Sequence, residues 1–545
     1  MICLAWNRPP AAACLTRTVA QHGRPLYLVV CLPDRSFPAF RPSENPSALE
    51  KALLQAVEAK LGCIQFNTAN ALGDILPGVH LWLMPPEAAC RLGEHFPQPV
   101  QWQTEAVPQL PLPQLKPWFA PPKRHTPTRA IVIGAGIAGA ATARALAQHG
   151  LPVTVLEAAA PAGAASGNRQ GLLYAKISPH HTGQTELLLC GYGHTRRLLE
   201  DLLPARANWG GNGVLHLDHN DEETRRNQAL AAQTHHAHLY RAVSAETASR
   251  LAGIPVAQSA LYWPQGVWLN PPALVHALLD HPLIELYSHT AVCSTEYRNG
   301  TWQVETSGGR AFQGSHIVFC MGAHSPLAAL PDVSALPYRL IRGQTDLAAA
   351  TPYSAALRCA LSAAGYISPA WQGVHCFGAT FIQHDTGCEW RAGDAEANRL
   401  TLRKLDSTLA ENLFSDGRNP NRPSETRCDR PAPLQGHAAL RCDSPDHLPL
   451  AGALGDICAM QQAYAKLALD KNYRICTPCP YLPGAYINTA HGSRGLATAP
   501  VCAAAVAAGI LGLPNPLPQR LRSALSPNRT VVRALIRGRP LLEKA

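Results

Sequence analysis

Three cations are candidates to hold an anionic group of a ligand: Arg494 in "GSRG", Arg342 in "IRGQ" and Lys176 in "LLYAKIS". An arginine fork grips a carboxylate with two parallel hydrogen bonds, and a lysine adds a mobile point charge. Each also has a plainer reading: a structural or phosphate contact for Arg494, an ion pair inside a sheet for Arg342, a surface lysine for Lys176.

What must position them starts at residues 130–139, "AIVIGAGIAG". Four strand residues run into Gly134-x-Gly136-x-x-Gly139, followed by the alanine-dense helix former "AATARALAQHG". Gly134 permits the tight turn, Gly136 lets backbone approach a pyrophosphate, and Gly139 lets helix pack on strand. Phosphate oxygens then meet the free N–H groups at the helix tip. A second strand, "PVTVLE", ends in Glu157, an acid placed to accept hydrogen bonds from ribose hydroxyls. The unit alone fits FAD or NAD equally. Two later segments favour FAD: "HIVFCMGAHS", a strand entering a turn at Gly322, and "GAYINTAHGSRGLATAP". The latter sets a strand before Gly492, Ser493, Gly495 and Leu496 and then a small-residue helix, whose positive end can stabilise charge on a reduced flavin ring.

The segments "ASGNRQGLLYAKISPH", "GVWLNPPALVHALL", "RGQTDL", "SPDHLPLAG" and "HGSRGLATAP" occur in that order between residue 129 and about residue 540. Together they resemble the FAD-dependent half of the bifunctional tRNA 5-methylaminomethyl-2-thiouridine biosynthesis proteins (MnmC). The wider family is similar to D-amino-acid, glycine and sarcosine oxidases. The resemblance implies an α/β architecture. A Rossmann-like, doubly wound FAD domain is assembled from separated chain segments, and a mixed or antiparallel sheet domain covers the flavin face. It implies oxidative removal of the carboxymethyl group from 5-carboxymethylaminomethyl-(2-thio)uridine at the tRNA wobble position, with glyoxylate as by-product and molecular oxygen as electron acceptor. It also implies that Ser166, Gly167, Asn168 and Gln170 lie along the cofactor, with Lys176 beyond them, and that Asp446 braces the flavin-side loops. The neighbouring His180 and His181 read as solvated turn residues.

Ahead of this unit, residues 1–96 read as a small αβ module. "RPLYLVVCLP" is a buried strand, "SALEKALLQAVEAKLG" a helix capped by Ser47 and stopped near Gly62, and "GVHLWLMP" a strand. Bifunctional relatives carry a methyltransferase there, whose cofactor needs a glycine-rich turn. The first 128 residues hold five glycines, none within four positions of another, so the module reads as degenerate. Nine prolines in 97–127 suggest a stiff linker over 97–128, and "KPWFAPP" resembles the family's junction. The oxidoreductase is then expected over 129–515 and a basic tail over 516–545. In that tail Arg520, Arg522, Arg529, Arg533, Arg537, Arg539 and Lys544 face one acid, Glu543; it reads as a phosphate-binding tail or a solvated helix.

A net charge of +10 suits a polyanionic partner without requiring one. Seventeen cysteines without framework spacing suit a reducing cytosol, and the lone CxxC (Cys476, Cys479) reads as loop thiols, so no metal is expected. "MICLAW" is too short for a signal peptide. The uncharged stretch 496–513 is rich in alanine and reads as a buried helix, so a cytoplasmic protein that touches no membrane is expected, and the resemblance implies tRNA as its partner. Three other readings remain: an oxidase of free glycine or sarcosine, a non-catalytic FAD-binding tRNA-docking protein, and an NAD-linked dehydrogenase.

Overall fold

The computed structural model describes residues 1–414 and 434–542; Glu543 and Lys544 lie outside them. Its central sheet has the strand order Ile284–Tyr287, Val153–Leu156, Ala130–Ile133, His316–Phe319, Tyr481–Thr489, Leu450–Gly455. The first five strands run parallel and the last antiparallel. All four residues of Ala130–Ile133 and of Val153–Leu156 are buried, as strands covered on both faces must be. One face carries the elbow helix Ile137–Ala147 and the return helix Gly495–Leu511, with Gly183–Leu202 packed outside them. Small residues permit the close approach. A Cβ on Gly191 would fall on the Ala497 carbonyl, and Asn488 Nδ2 donates to Thr142 Oγ1 at 3.2 Å across the sheet–helix seam. The return helix is long and apolar enough to cross a membrane by length and composition, yet most of it is buried between these neighbours.

The opposite face carries an antiparallel meander, Val292–Arg298, Thr301–Thr306 and Ala311–Gly314. Segments between the sheet strands build a second, nine-stranded mixed sheet. Its long strand Arg339–Ala349 pairs antiparallel with Val374–Gly378, Ile382–Gln383 and His437–Asp443. The two-domain α/β arrangement expected from sequence is the one observed.

In front, a five-stranded sheet has the order Asn70–Leu76, Val79–Met84, Leu26–Cys31, Ile2–Trp6, Gln101–Trp102. The strand–helix–strand reading holds, including the Ser47 cap, whose side chain accepts from Glu50 N. Ile2–Trp6, which carries "ICLAW", forms an interior strand beside Leu26–Cys31. The expected linker begins later than residue 97, because Gln101–Trp102 adds a parallel edge strand on Leu4–Ala5. The module is docked: Lys60 Nζ lies 2.8 Å from Asp201 Oδ1, and Thr68 Oγ1 donates to the fully buried Glu186 at 3.0 Å.

The basic tail is neither a free phosphate binder nor a solvated helix over its inner part. Helices Gln519–Leu525 and Asn528–Ile536 pack on the body. Arg520 Nη2 donates to Glu186 at 2.8 Å and Arg522 Nη2 to the Glu94 carbonyl at 2.7 Å. Arg529, buried, grips Asp446 at 2.9 and 3.0 Å, and Arg533 joins the same carboxylate. An arginine that leaves water needs such partners.

Candidate active site

The glycine elbow is a steric necessity. Gly134 has φ +102, and a Cβ there would lie 2.6 Å from the Cys320 carbonyl oxygen. A Cβ on Gly139 would land on the Gly134 carbonyl. Gly136 is the N-cap of the elbow helix and brings no side chain of its own. Ser166 Oγ accepts from Ile137 N at 3.0 Å, so a hydroxyl already sits where an anion's oxygens would be received. Glu157 accepts from Ala135 N at 2.7 Å and Ala159 N at 2.9 Å, which fixes the carboxylate and leaves lone pairs over for ribose hydroxyls. Gly322 (φ +53) lies in the turn after His316–Phe319, with open space beyond its Cα. These residues fit a dinucleotide.

The return segment closes on the same place. Gly495 has Ile137 Cγ2 within 3.7 Å of its would-be Cβ, so the tips of the two helices lie side by side. Gly492 (φ +58) packs over the Asp443 carboxylate, Ser493 is exposed, and Leu496 fills the space over Gly171. Gly167 is needed because a Cβ would meet the Ala162 carbonyl and His437 Cε1, each at 2.8 Å.

Two residues expected along the cofactor are spent on protein contacts. Asn168 donates to Tyr366 OH at 3.0 Å and the Gln170 carbonyl at 2.7 Å, and accepts from Thr345 Oγ1 at 2.9 Å. Its amide ties the cofactor segment to the second sheet. Gln170 is fully buried and donates to the Pro369 carbonyl at 3.0 Å; its Oε1 has no partner among the described residues.

Beyond them, Lys176, Arg226 and Arg494 line one cavity of about 220 Å³ together with Ile177, Ser178, Gln184, Thr185 and Leu188. Arg494, half-buried at the start of the return helix, makes no side-chain hydrogen bond or ion pair among the described residues. Burial lowers its affinity for its proton, and Asp443 and Tyr174 oppose that shift. Lys176 Nζ lies 3.1 Å from Glu223 Oε1. Burial, then Arg226 and Arg494, push its pKa down to about 8, against the pull of Glu222. Glu223 also pairs with Arg226 and holds His216 Nε2 at 2.9 Å. His216 is neutral, pushed down to about 3 by burial and then by Lys176 and Arg226.

Arg342 does not belong to this cavity. Its side chain is fully buried, with Nη2 bonded to Asp394 (2.8 Å), Gln344 (3.2 Å) and the Glu389 carbonyl (2.8 Å), and Nη1 to the Gly387 carbonyl (2.9 Å). Those fixed partners leave no fork for a substrate carboxylate, and the sheet ion-pair reading replaces the catalytic one. Asp446 braces the C-terminal helix through Arg529, and His180 and His181 are exposed. Sequence reasoning missed Arg226, Glu223 and His216. In "DEETRRNQ" the first two look like the charged face of a solvated helix, and nothing local singles them out. A larger cavity, about 980 Å³, lies under the proline-rich strap near His95, Phe119 and Leu513 and touches none of these residues.

An elbow for a dinucleotide, a second helix tip beside it and a cationic cavity lined by that tip's arginine are the parts of a flavin oxidoreductase. The chain belongs to the family described as DAO, FAD dependent oxidoreductase, which matches residues 129–508, and FAD is its cofactor. Among curated proteins it is similar to the tRNA 5-methylaminomethyl-2-thiouridine biosynthesis bifunctional proteins MnmC. That of Pseudomonas syringae pv. tomato is 40% identical over 429 residues, 78% of this chain and 63% of that protein. That of Pseudomonas savastanoi pv. phaseolicola is 41% identical over 518 residues, 92% of this chain and 74% of that protein. The second match extends well into the residues before the elbow. The chain thus spans between 63% and 74% of the length of these two relatives. Among solved structures, glycine oxidase from Bacillus cereus has a TM-score of 0.54 at 18% identity, covering 71% of this chain and 95% of that one. L-proline dehydrogenase from P. horikoshii has a TM-score of 0.56 at 16% identity, covering 76% and 98%. These two share the fold.

Proposed function

We propose that this chain oxidatively removes the carboxymethyl group from 5-carboxymethylaminomethyl-(2-thio)uridine at the wobble position of tRNA, releasing the 5-aminomethyl nucleoside and glyoxylate. The observation that carries the reading is the Arg494 guanidinium, without a hydrogen-bond or ion-pair partner among the described residues, lining a cationic cavity at the start of the return helix, whose tip lies beside the elbow helix. Its charge and fork match the carboxylate of a glycyl arm.

Gly134, Gly136 and Gly139 hold the pyrophosphate of FAD against the elbow helix, and Glu157 takes the ribose. Bound FAD supplies the two-electron acceptor. Arg494 holds the arm's carboxylate and thereby aims its methylene. The half-buried cavity disfavours an extra positive charge beside Lys176 and Arg226, so the secondary amine binds neutral and is ready to lose hydride. Loss of hydride from the methylene and of the N–H proton gives an imine. Water adds to it and the C–N bond breaks, leaving the aminomethyl base and glyoxylate. Molecular oxygen is the proposed final oxidant. The N-terminal module, without a glycine-rich turn, serves as a docked support and not as a methyltransferase.

Nucleoside analysis of tRNA from cells lacking this protein tests the reading. Accumulation of the carboxymethylaminomethyl form is the expected result, and an unchanged wobble profile contradicts it. Assay of free glycine against hypomodified tRNA separates this reading from a free amino-acid oxidase.

A further inference from the structure

The cavity holds more positive charge than one carboxylate balances. Lys176, Arg226 and Arg494 face it, and Arg494 alone suffices for the glycyl arm. Among the described residues, the buried acid bonded to Lys176 and Arg226 is Glu223, through Oε1 and Oε2 respectively, while buried Asp443 acts on Arg494. His216, on the same carboxylate, is neutral, and Glu222 is exposed to solvent and screened. The Arg226 Nε–H is buried and has no acceptor among the described residues. After Arg494 takes a carboxylate, two cations share one acid, and a guanidinium donor stays open.

The substrate chemistry proposed above supplies a second anion at the right place. In the ordinary anti conformation of a pyrimidine nucleotide, a substituent at C5 projects from the base edge that faces the nucleotide's own 5′-phosphate. An arm reaching into the cavity therefore brings that phosphate towards the same wall. We propose that Arg226 and Lys176 form a second anion subsite that receives the 5′-phosphate of the modified nucleotide, while Arg494 receives the carboxylate of the arm. The inference rests on the carboxymethyl-removal reading and adds the source of selectivity. Free glycine fills one subsite, a nucleoside fills the same one with its base outside, and a nucleotide or RNA strand fills both. Charge-assisted bonds to phosphate give this second contact its strength. Glu223, bonded to both cations and to His216, positions the pair.

The test uses the full-length FAD-loaded protein and compares 5-carboxymethylaminomethyluridine with its 5′-monophosphate, following flavin bleaching and glyoxylate. The monophosphate is expected to have a KM about tenfold or more below that of the nucleoside at similar kcat, the range of one hydrogen bond to a charged group. Arg226→Gln is expected to cut that advantage to about threefold or less. Arg226→Lys keeps part of it, because the charge stays and the fork is lost. Lys176→Gln gives an independent reading should the Arg226 variants fail to retain flavin. Equal KM values for the two substrates in the parent protein, or variants that raise both KM values by the same factor, overturn the subsite and leave the carboxymethyl reading intact. If neither compound nor hypomodified tRNA bleaches the flavin, the reading itself fails and the subsite with it.

Discussion

Replacing Arg494 by glutamine keeps a polar side chain of similar reach and removes the charge and the fork. The guanidinium is half-buried, has no partner among the described residues, and starts the helix whose tip adjoins the flavin cradle. Losing one member of a desolvated charge pair costs about 2–5 kcal/mol. Lys176 and Arg226 remain in the same cavity and still attract the carboxylate, which places the loss near the lower end. About 2–3 kcal/mol corresponds to a roughly 30- to 150-fold fall in kcat/KM. The assay is anaerobic stopped-flow reduction of the flavin over a range of substrate concentration, with flavin content measured in both proteins. The weaker binding is expected in the substrate dissociation constant, with a smaller effect on the limiting reduction rate through lost aim. A variant that retains FAD and binds substrate within about threefold of the parent refutes the assignment of Arg494.

Three further outcomes follow from the same geometry. Lys176, held down to about 8 by burial and by Arg226 and Arg494, is charged below that pH and neutral above it. Substrate affinity is expected to weaken as pH rises through about 8 and to lose that inflection in Lys176→Gln, as a KM–pH profile would show. Gly139→Ala places a methyl group on the Gly134 carbonyl, so the purified variant is expected to be colourless and to take up no added FAD. Asp446→Asn strips the counter-charge from the buried Arg529 and is expected to lower unfolding free energy by about 3 kcal/mol in denaturant melts. Burial raises the Asp446 pKa, but Arg529, Ser444 and Arg533 more than offset it and hold it below the ordinary carboxylate range. Its contribution is therefore full above the unfolded value of about 3.9 and fades as pH falls through the lower folded value. The asparagine variant loses that acid-side dependence.

The elbow was legible because its constraints are local. A strand, three glycines, a helix, a strand and an acid occupy residues 130–157 without interruption; Gly139 answers to Gly134 five residues before it, and Gly134 to the end of the adjoining strand. The return helix announced itself through composition, and Ser47 through its place before a helical pattern. What stayed hidden are pairings across the chain. Arg520 meets Glu186 across 334 positions and Arg529 meets Asp446 across 83, and an arginine looks the same in sequence whether it is solvated or paired. For that reason the C-terminal segment read as a loose basic tail, and Arg342 looked free to bind substrate until Asp394 was seen beside it. Arg226 was missed for the opposite reason: its helix displays charges to solvent on one side and carries a cavity-lining one on the other. Gln101–Trp102 was hidden by prolines that flank it without occupying it.

The central claim is that this flavoprotein takes hydride from a glycyl arm on tRNA. Its most direct test mixes the purified FAD-loaded protein, without oxygen, with tRNA bearing 5-carboxymethylaminomethyl-2-thiouridine. The account predicts loss of the oxidised flavin band, one glyoxylate formed per flavin reduced, and the aminomethyl nucleoside in the recovered tRNA. A fully loaded protein that stays yellow with that tRNA contradicts it.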